Sequence, residues 1–587
     1  AGLDKVMTGS RRLLYEEEGL TATVTVVESG GQLYLKVNGK TDASSRGDLR
    51  SQSLLSHLPA LLHPAPTEAL LIGLGSGISL GALEHHPVQR IECVEISPEV
   101  VRGASFFSEV NGDAMSDPRV HMVIGDGRNH TAHTGTVFDV IISQPSNLWI
   151  AGMADLFTVE FFRACSTKLA ADGIMCSWVQ AYSMTTDDFR TIVNTFLHVF
   201  PHVSLWESVP GGDYFLVGSQ GPHPLSLTQL SQRVRARQLP AELGRIGVRS
   251  AEQILSSFVA ADADLRRFAQ GAALNTDDNA TLEFSAPYGL AKGLTGAGDL
   301  FGPEDLDEYR SASLAQVLTD PQISATLQES WAARTLAREA QVRMNRGDLG
   351  QAMDLIVRAA QISPVDMEVR RLYPELALSA GSEMERVADV EGAATLYRDV
   401  LAIAPENARV QLRLGKIYQS RGLFDEALAA FERAIQTDPG LFAAHLHLAE
   451  TSAQKGDAEE AERRYQVAAD IEPENPLVYN EWGKSHLRQK RWDAAINVFQ
   501  KGVEVAPDEA QLANNLGVAW TQKRELATAV EWYERAVELQ PGDARAWVNL
   551  GDVNRALARG QKAREAYRAA LQAEPGNQRA LRGLQGL

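Results

Sequence analysis

Gly73-Leu74-Gly75-Ser76-Gly77 stands between two apolar runs, Ala69–Ile72 and Ile91–Val94, and the second run closes on Glu95. Glycines at alternate positions let a chain turn tightly and approach a ligand with no Cβ in the way. An acid at the end of the next strand can accept hydrogen bonds from both hydroxyls of a ribose. The order strand, glycine turn, helix, strand, acid therefore predicts an adenine-ribose site in a doubly wound sheet. The fingerprint is G-x-G-x-G and no diphosphate cradle stands nearby. That favours S-adenosylmethionine or a relative over a dinucleotide.

Further candidates lie at the ends of later apolar runs. Asp126, with Gly127 beside it, closes the run within His121–His130, and the polar loop Gln144-Pro145-Ser146-Asn147 ends Val137–Asn147. A fifth run, Gly173–Tyr182, carries Trp178, Gln180 and Tyr182 toward the same edge. In open α/β sheets ligands bind beyond the carboxyl ends of the strands, so these groups are expected on one rim. Trp149, Asn147 and Tyr182 are candidate walls of an acceptor pocket. His57, His63, His85, His86, His130 and His133 show no metal-ligand spacing, and no metal is expected. Chain order alone supports no Ser-His-Asp arrangement.

The elements that must position these groups follow from pattern. Leu13–Ser44 reads as strands turning at Gly30-Gly31 and Asn38-Gly39, a small β-hairpin cap. Asp48–Leu58 reads as a helix stopped by Pro59. Ser97-Pro98-Glu99 starts another, with an N-cap serine and proline at its first position. After the fifth run, Pro201–Glu207 and Asp213–Ser219 form an antiparallel pair. Helices are expected around Ser226–Gln238 and Ser250–Phe258, then a polar loop, Asn275–Asn279, and a strand, Thr281–Ser285. Gly293–Asp305 reads as linker.

The remainder repeats. Prolines at 405, 439, 473, 507, 541 and 575 recur every 34 residues. One copy carries Leu414-Gly415, Tyr418, Ala427, Phe431 and Ala434; another carries Trp547, Leu550-Gly551, Ala563, Tyr567 and Ala570. That period with those small and aromatic positions specifies tetratricopeptide helix pairs. Two weaker copies end at Pro364 and Pro405, giving about seven repeats from Ala333 to Pro575. The aromatics are expected in the core. Asn480, Lys484, Asn514 and Arg555 fall on the inner helix face, where they could grip a peptide.

The division expected is a cap at 1–66, a Rossmann-like α/β domain at 67–290, a linker at 291–332 and an all-α repeat superhelix at 333–587. For 587 residues, that suits the usual size of domains. A formal charge of −19 argues against a nucleic-acid partner held by phosphate contacts. Cys93, Cys165 and Cys176 are too few and scattered for a disulfide framework or a zinc site, which points to a reducing compartment. No apolar run approaches a membrane span of ~20 residues. The first residue is Ala1, so an upstream segment, including a membrane anchor, is left open.

LYLKVNGKTDAS, SHLP, GLGSG, VEIS, DPRVHMVIGDG, VIISQPSN and LFTVEFF together resemble the spermidine synthases, the polyamine aminopropyltransferases, over roughly Leu13–Gln220. The nearest likeness is to bacterial spermidine-synthase-like proteins fused to membrane segments or tetratricopeptide repeats. The resemblance implies that Gly73, Gly75 and Gly77 line the methionine part of the ligand, that Glu95 holds the ribose, and that Asp126 holds the adenine amino group. Gly127, Ser76 and Gln52 join that set. It implies transfer of an aminopropyl group from decarboxylated S-adenosylmethionine to an amine, with release of methylthioadenosine. It also implies a homodimer. The cytoplasm, where the nucleotide donor is made, is the expected location, or the inner face of the bacterial inner membrane if an anchor precedes Ala1.

The chain departs from the family where that chemistry lives. Ser76 stands where the family has an acid that faces the donor's amine. Gln144-Pro145-Ser146-Asn147 replaces Asp-Ser-x-Asp, the source of the catalytic acid. Ser51-Gln52-Ser53 replaces Tyr-His-Glu, and Asp42 replaces a glutamine. A neutral amide cannot take a proton from an ammonium group. A donor pocket without acids could also tolerate the carboxylate of intact S-adenosylmethionine. Asp277 and Asp278 are candidate amine-binding acids beside Gln144, if their loop folds over the rim, with Asp42 and Asp48 from the cap. Methyl transfer, intramolecular cleavage of S-adenosylmethionine, and a non-catalytic sensor that signals through its repeats remain alternatives.

Overall fold

Val24, Val26 and Leu35 are fully buried while the residues between them on each strand are not, the period of two of a half-covered sheet. The computed structural model describes residues 11–20, 22–29, 31–209, 212–222, 225–248, 250–295, 300–309 and 321–587. Four antiparallel strands come first: β1 (Arg11–Glu18), β2 (Thr23–Ser29), β3 (Gln32–Val37) and β4 (Lys40–Ser44), in that order across the sheet. The cap is thus twice the expected hairpin. Its inner face packs Val24, Val26, Leu35 and Ala43 against Val100 and Phe107.

Eight strands form the second sheet: β5 (Glu68–Ile72), β6 (Arg90–Glu95), β7 (Val120–Ile124), β8 (Phe138–Ser143), β9 (Leu169–Gln180), β10 (His202–Val209), β11 (Asp213–Ser219) and β12 (Phe258–Ala261). Their order is β12-β10-β11-β9-β8-β5-β6-β7. Strands β5 to β9 run parallel; β10, β11 and β12 pair antiparallel. Core clusters on both faces bury all but the edge strand β7, which is why the central strands read as apolar runs without alternation.

Three local expectations are corrected. Pro59 lies inside the helix Leu49–Leu62; the helix runs on until the His63 N–H closes on the Pro59 carbonyl. Thr281–Ser285 is the first turn of the helix Thr281–Thr295, where Leu282 is buried and its N–H donates to Asn275 Oδ1 at 3.1 Å. Within the stretch read as linker, Phe301 is buried and stacks on Phe189 with ring centroids 4.0 Å apart. Strand β12 was not anticipated, because four apolar residues directly after a helix show no alternation.

The chain divides into two compact units, 1–376 and 377–587. Near the end of the first, the helix Pro321–Asn345 seats Trp331 in the α/β core, its indole N–H donating to the Phe258 carbonyl at 3.3 Å. Arg334 of that helix is buried between Glu207 of β10 and Asp366, each at 3.0 Å.

The second unit is helical throughout its regular structure, in pairs such as Ala408–Ser420 with Phe424–Thr437 and Ala510–Gln522 with Leu526–Leu539. Several pairs close where the sequence places glycine under an aromatic ring. A Cβ on Gly415 would come within 2.5 Å of Phe431, one on Gly483 within 2.4 Å of Phe499, and one on Gly517 within 2.7 Å of Tyr533. Those rings are buried, as expected of core aromatics. Among the described residues no helix is long and apolar enough to cross a membrane.

Candidate active site

Parallel pairing puts the carboxyl ends of β5, β6, β7 and β8 on one edge: Ile72 lies beside Val94 and Ser143, and Glu95 beside Ile124. The residues at or just past each end are then on the rim, which gathers Gly73, Glu95, Asp126 and Gln144. Gly73, Gly75 and Gly77 take φ of 93°, 56° and 79°, a region where a side chain is strained. A Cβ on Gly73 would also strike the Gln144 carbonyl at 2.5 Å. The turn needs its glycines.

Glu95 is almost fully buried and accepts the Leu74 N–H at 2.9 Å and the Ser97 N–H at 3.0 Å. Burial raises its pKa, opposed by those two bonds and aided by the charge of Asp42. A carboxylate has about four acceptor sites, so both oxygens retain capacity for a diol. Asp126 caps the helix Gly127–His133 through the Asn129 N–H at 2.7 Å and is otherwise exposed. Gly127 is required there, since a Cβ would meet Ile72 at 2.4 Å.

The cap closes over this rim. Ala43 lies 3.9 Å from where a Cβ on Gly75 would stand. Asp42 accepts from the Ser146 hydroxyl and pairs with Lys40 at 3.5 Å, while the Lys40 ammonium sits 5.9 Å over the Trp149 ring. The predicted loop residues Gln144–Asn147, Asp42 and Trp149 are therefore brought together. Asn147 is buried.

Sequence reasoning missed the most buried acid of the site. Strand β11 runs antiparallel to β9 and begins at Asp213, opposite Gln180, so Asp213 lies at the carboxyl end of β9. It is 3% exposed. Its Oδ2 accepts from Ser51 at 2.6 Å and its Oδ1 from the Trp178 indole at 3.1 Å, with Tyr182 beside it. Burial pushes its carboxyl up to about 6 against those donors, with a contribution from Asp48. Asp48 is raised too, by burial first and by Asp42 among other groups. Tyr182, 44% exposed, is pushed well up by burial and by Asp213. Asp42, Asp48 and Asp213 thus form a string of interacting carboxylates. The one available signal was an acid opening an otherwise apolar strand.

Asp277 and Asp278 do not join that string. Asp277 pairs with Arg128, its N–H donates to Glu160 at 3.0 Å, and both aspartates are exposed on the Thr276–Asn279 turn. Thr276 and Asn279 close that turn by exchanging bonds, so the loop caps a helix start.

His63, Asp139 and Asp172 offer ligand atoms within 4.8 Å of one another, a cluster that the sequence spacing did not suggest. Asp139 Oδ2 already accepts from Thr67 N–H, Thr67 hydroxyl and Glu68 N–H. His63 Nδ1 accepts the Ala65 N–H at 3.3 Å, which leaves the ring proton on Nε2 facing Asp172. Asp139 is thus held by its own donors, while His63 Nε2 lies 3.6 Å from Asp172 without a hydrogen bond.

Within the second unit, the inner-face asparagines bond one repeat onward. Asn515 donates to Asn480 at 2.6 Å and Asn549 to Asn514 at 3.0 Å. Lys484 pairs with Glu481 at 2.7 Å, and Arg555 with Asp552 at 3.5 Å.

The chain is similar to known proteins over its α/β domain and its repeats. The Spermine/spermidine synthase domain family matches residues 49–210, and the Tetratricopeptide repeat matches 378–442, 420–481, 480–544 and 533–578. A polyamine aminopropyltransferase of Aeropyrum pernix is 30% identical over 226 residues, 36% of this chain and 72% of that protein. One from Thermotoga petrophila is 24% identical over 221 residues, 36% of this chain and 75% of that protein. A spermidine synthase solved with the transition-state analogue AdoDATO aligns at 25% identity and TM-score 0.34, covering 36% of this chain and 74% of that one.

Proposed function

Because this chain belongs to the spermine/spermidine synthase family through its α/β domain, we propose that it is an S-adenosyl-dependent transferase of the aminopropyltransferase type. In this reading Glu95 takes the ribose hydroxyls, Asp126 the adenine amino group, and the glycine turn the sulfonium end. An amine attacks the carbon next to the sulfonium in line, and methylthioadenosine leaves. Such a displacement needs positioning and a deprotonated amine more than covalent help.

The observation that carries the reading is the string Asp42, Asp48 and Asp213 beside a Gln144 that cannot act as a base. A carboxylate 4 Å from an ammonium is worth about 4 kcal/mol at an effective dielectric near 20. Three of them supply the field that the neutral loop has lost. Asp213, with a pKa of about 6, is ionised at neutral pH and weak enough as an acid to accept a proton usefully. Its partner Tyr182 and the Asp42 end of the string border the place for a cationic acceptor. The repeats supply a groove for a protein or peptide partner, in which the bonded asparagines Asn480, Asn514, Asn515 and Asn549 present amides at one-repeat spacing.

Titration calorimetry with methylthioadenosine tests the site assignment. The wild type is expected to bind and Glu95→Ala to lose binding; equal affinity in the two proteins sinks it. Gln144 at the acid position favours one second reading, a sensor that binds ligand without turnover.

A further inference from the structure

Two amides flank consecutive residues of the glycine turn. A Cβ on Gly75 would stand 3.1 Å from Gln144 Nε2, and the Ser76 hydroxyl donates to Gln52 Oε1 at 2.6 Å. Gln52 and Ser76 are both fully buried. The Gln52 main chain is spent as well, its carbonyl accepting from Ser79 at 3.0 Å and its N–H donating to the Asp48 carbonyl at 2.9 Å. Yet Gln52 Nε2 has no partner, and neither has Gln144 Oε1. Buried polar atoms in native folds are almost always paired, and an unpaired amide donor is costly. One free donor and one free acceptor at neighbouring residues of a ligand turn are complementary to an α-amino acid, whose carboxylate accepts and whose ammonium donates.

Charge points the same way. Among the described residues no carboxylate hydrogen-bonds the side chain of Ser76 or Gln52. A carboxylate here would attract a bare ammonium and repel a zwitterion's acid group; neutral amides can hold both ends and add no charge of their own.

Resting on the transferase reading above, we propose that the donor keeps its α-carboxylate: the ligand is S-adenosylmethionine itself, with its carboxylate on the Gln52 amide and its ammonium on Gln144 Oε1. The group transferred is then 3-amino-3-carboxypropyl. The acceptor nitrogen bonds to the γ-carbon, and the C–S bond breaks with its electron pair going to sulfur. Methylthioadenosine leaves, and the proton released from the acceptor nitrogen passes to the Asp213 carboxylate. The product is an amine lengthened by an amino acid rather than by an amine.

The test is titration calorimetry of the full chain with S-adenosylmethionine, its decarboxylated form and methylthioadenosine, which has no tail. The wild type is expected to bind S-adenosylmethionine at least ~10-fold tighter than the decarboxylated form, the scale of one hydrogen bond to a charged group. Ser76→Asp and the near-isosteric Gln52→Glu should each level or reverse that ratio while methylthioadenosine affinity stays within about 3-fold, a margin of well under one such bond. If Ser76→Asp does not fold, Gln52→Glu decides. Equal or tighter binding of the decarboxylated donor by the wild type overturns the assignment, as does an unchanged ratio in the folded variants. Methylthioadenosine that binds without any preference between the two donors removes only the donor assignment. Failure of methylthioadenosine to bind the wild type removes the transferase reading with it.

Discussion

The Ser51 hydroxyl donates to Asp213 Oδ2 at 2.6 Å, tying the helix Leu49–Leu62 to the first residue of β11. The same hydroxyl lies 3.1 Å from Ser208 on β10. A small side chain at position 51 thus meets a buried acid. The loop after β8 carries the neutral Gln144, and this carboxylate stands two strands away in the sheet.

Asp213→Asn keeps the shape and removes the charge. Turnover is expected to fall about 100-fold or more, the usual worth of a positioned base. In the wild type, activity should rise with pH through about 6 and then level; the variant should lack that rise. The stability sign is opposite. A carboxyl raised from 3.8 to about 6 in the fold contributes stability below pH 3.8 that is lost as pH passes 6. The Asn variant should therefore melt at or above the wild-type temperature at pH 7.5, which separates lost chemistry from lost folding.

Arg334→Ala tests how the helix Pro321–Asn345 is held. Arg334 is 2% exposed and answers both Glu207 and Asp366 at 3.0 Å. Removing one member of a buried ion pair costs about 3–5 kcal/mol, because its partners stay buried and unpaired. Urea denaturation should show a loss of that size; less than about 1 kcal/mol would mean that water replaces the guanidinium.

Much of the site was legible because strand ends and glycines leave strong marks. Gly73, Glu95, Asp126 and Gln144 fell on one rim because parallel register fixes the carboxyl ends together. Asp213 was not legible: its place depends on how far the β10–β11 hairpin extends over β9. Asp277 misled for a related reason, since its partner Arg128 comes from 149 residues away. Phe301 reads as linker until Phe189 is seen stacked on it. Local pattern specified elements, and tertiary pairing decided which acids meet.

Gly73→Ala should be far worse than Gly39→Ala. Both glycines have positive φ, but a Cβ at Gly39 meets nothing within 4 Å, whereas at Gly73 it meets the Gln144 carbonyl at 2.5 Å. Gly39→Ala is expected to cost ~1–2 kcal/mol, the strain of a left-handed residue. Gly73→Ala should exceed it and weaken nucleoside binding, as read by thermal melting with and without methylthioadenosine. Equal losses would contradict the close approach.

Tyr533→Ala should empty a seam of the repeat array. The ring is 2% exposed and covers Gly517. A loss of ~3–5 kcal/mol is expected for a buried aromatic. Because repeats are stabilised by nearest neighbours, hydrogen exchange should rise first in Ala510–Leu539 and the adjacent pairs. Uniform loss of protection across all the repeats would contradict that.

The most direct measurement is mass spectrometry of the products formed by the purified chain. It would be incubated with S-adenosylmethionine or its decarboxylated form, with and without a panel of polyamines. The expected result is methylthioadenosine together with a lengthened amine, dependent on the acceptor and abolished by Glu95→Ala. Formation of S-adenosylhomocysteine, or of methylthioadenosine with no acceptor present, would contradict transfer to an amine. Bound ligand with no product would leave a sensor.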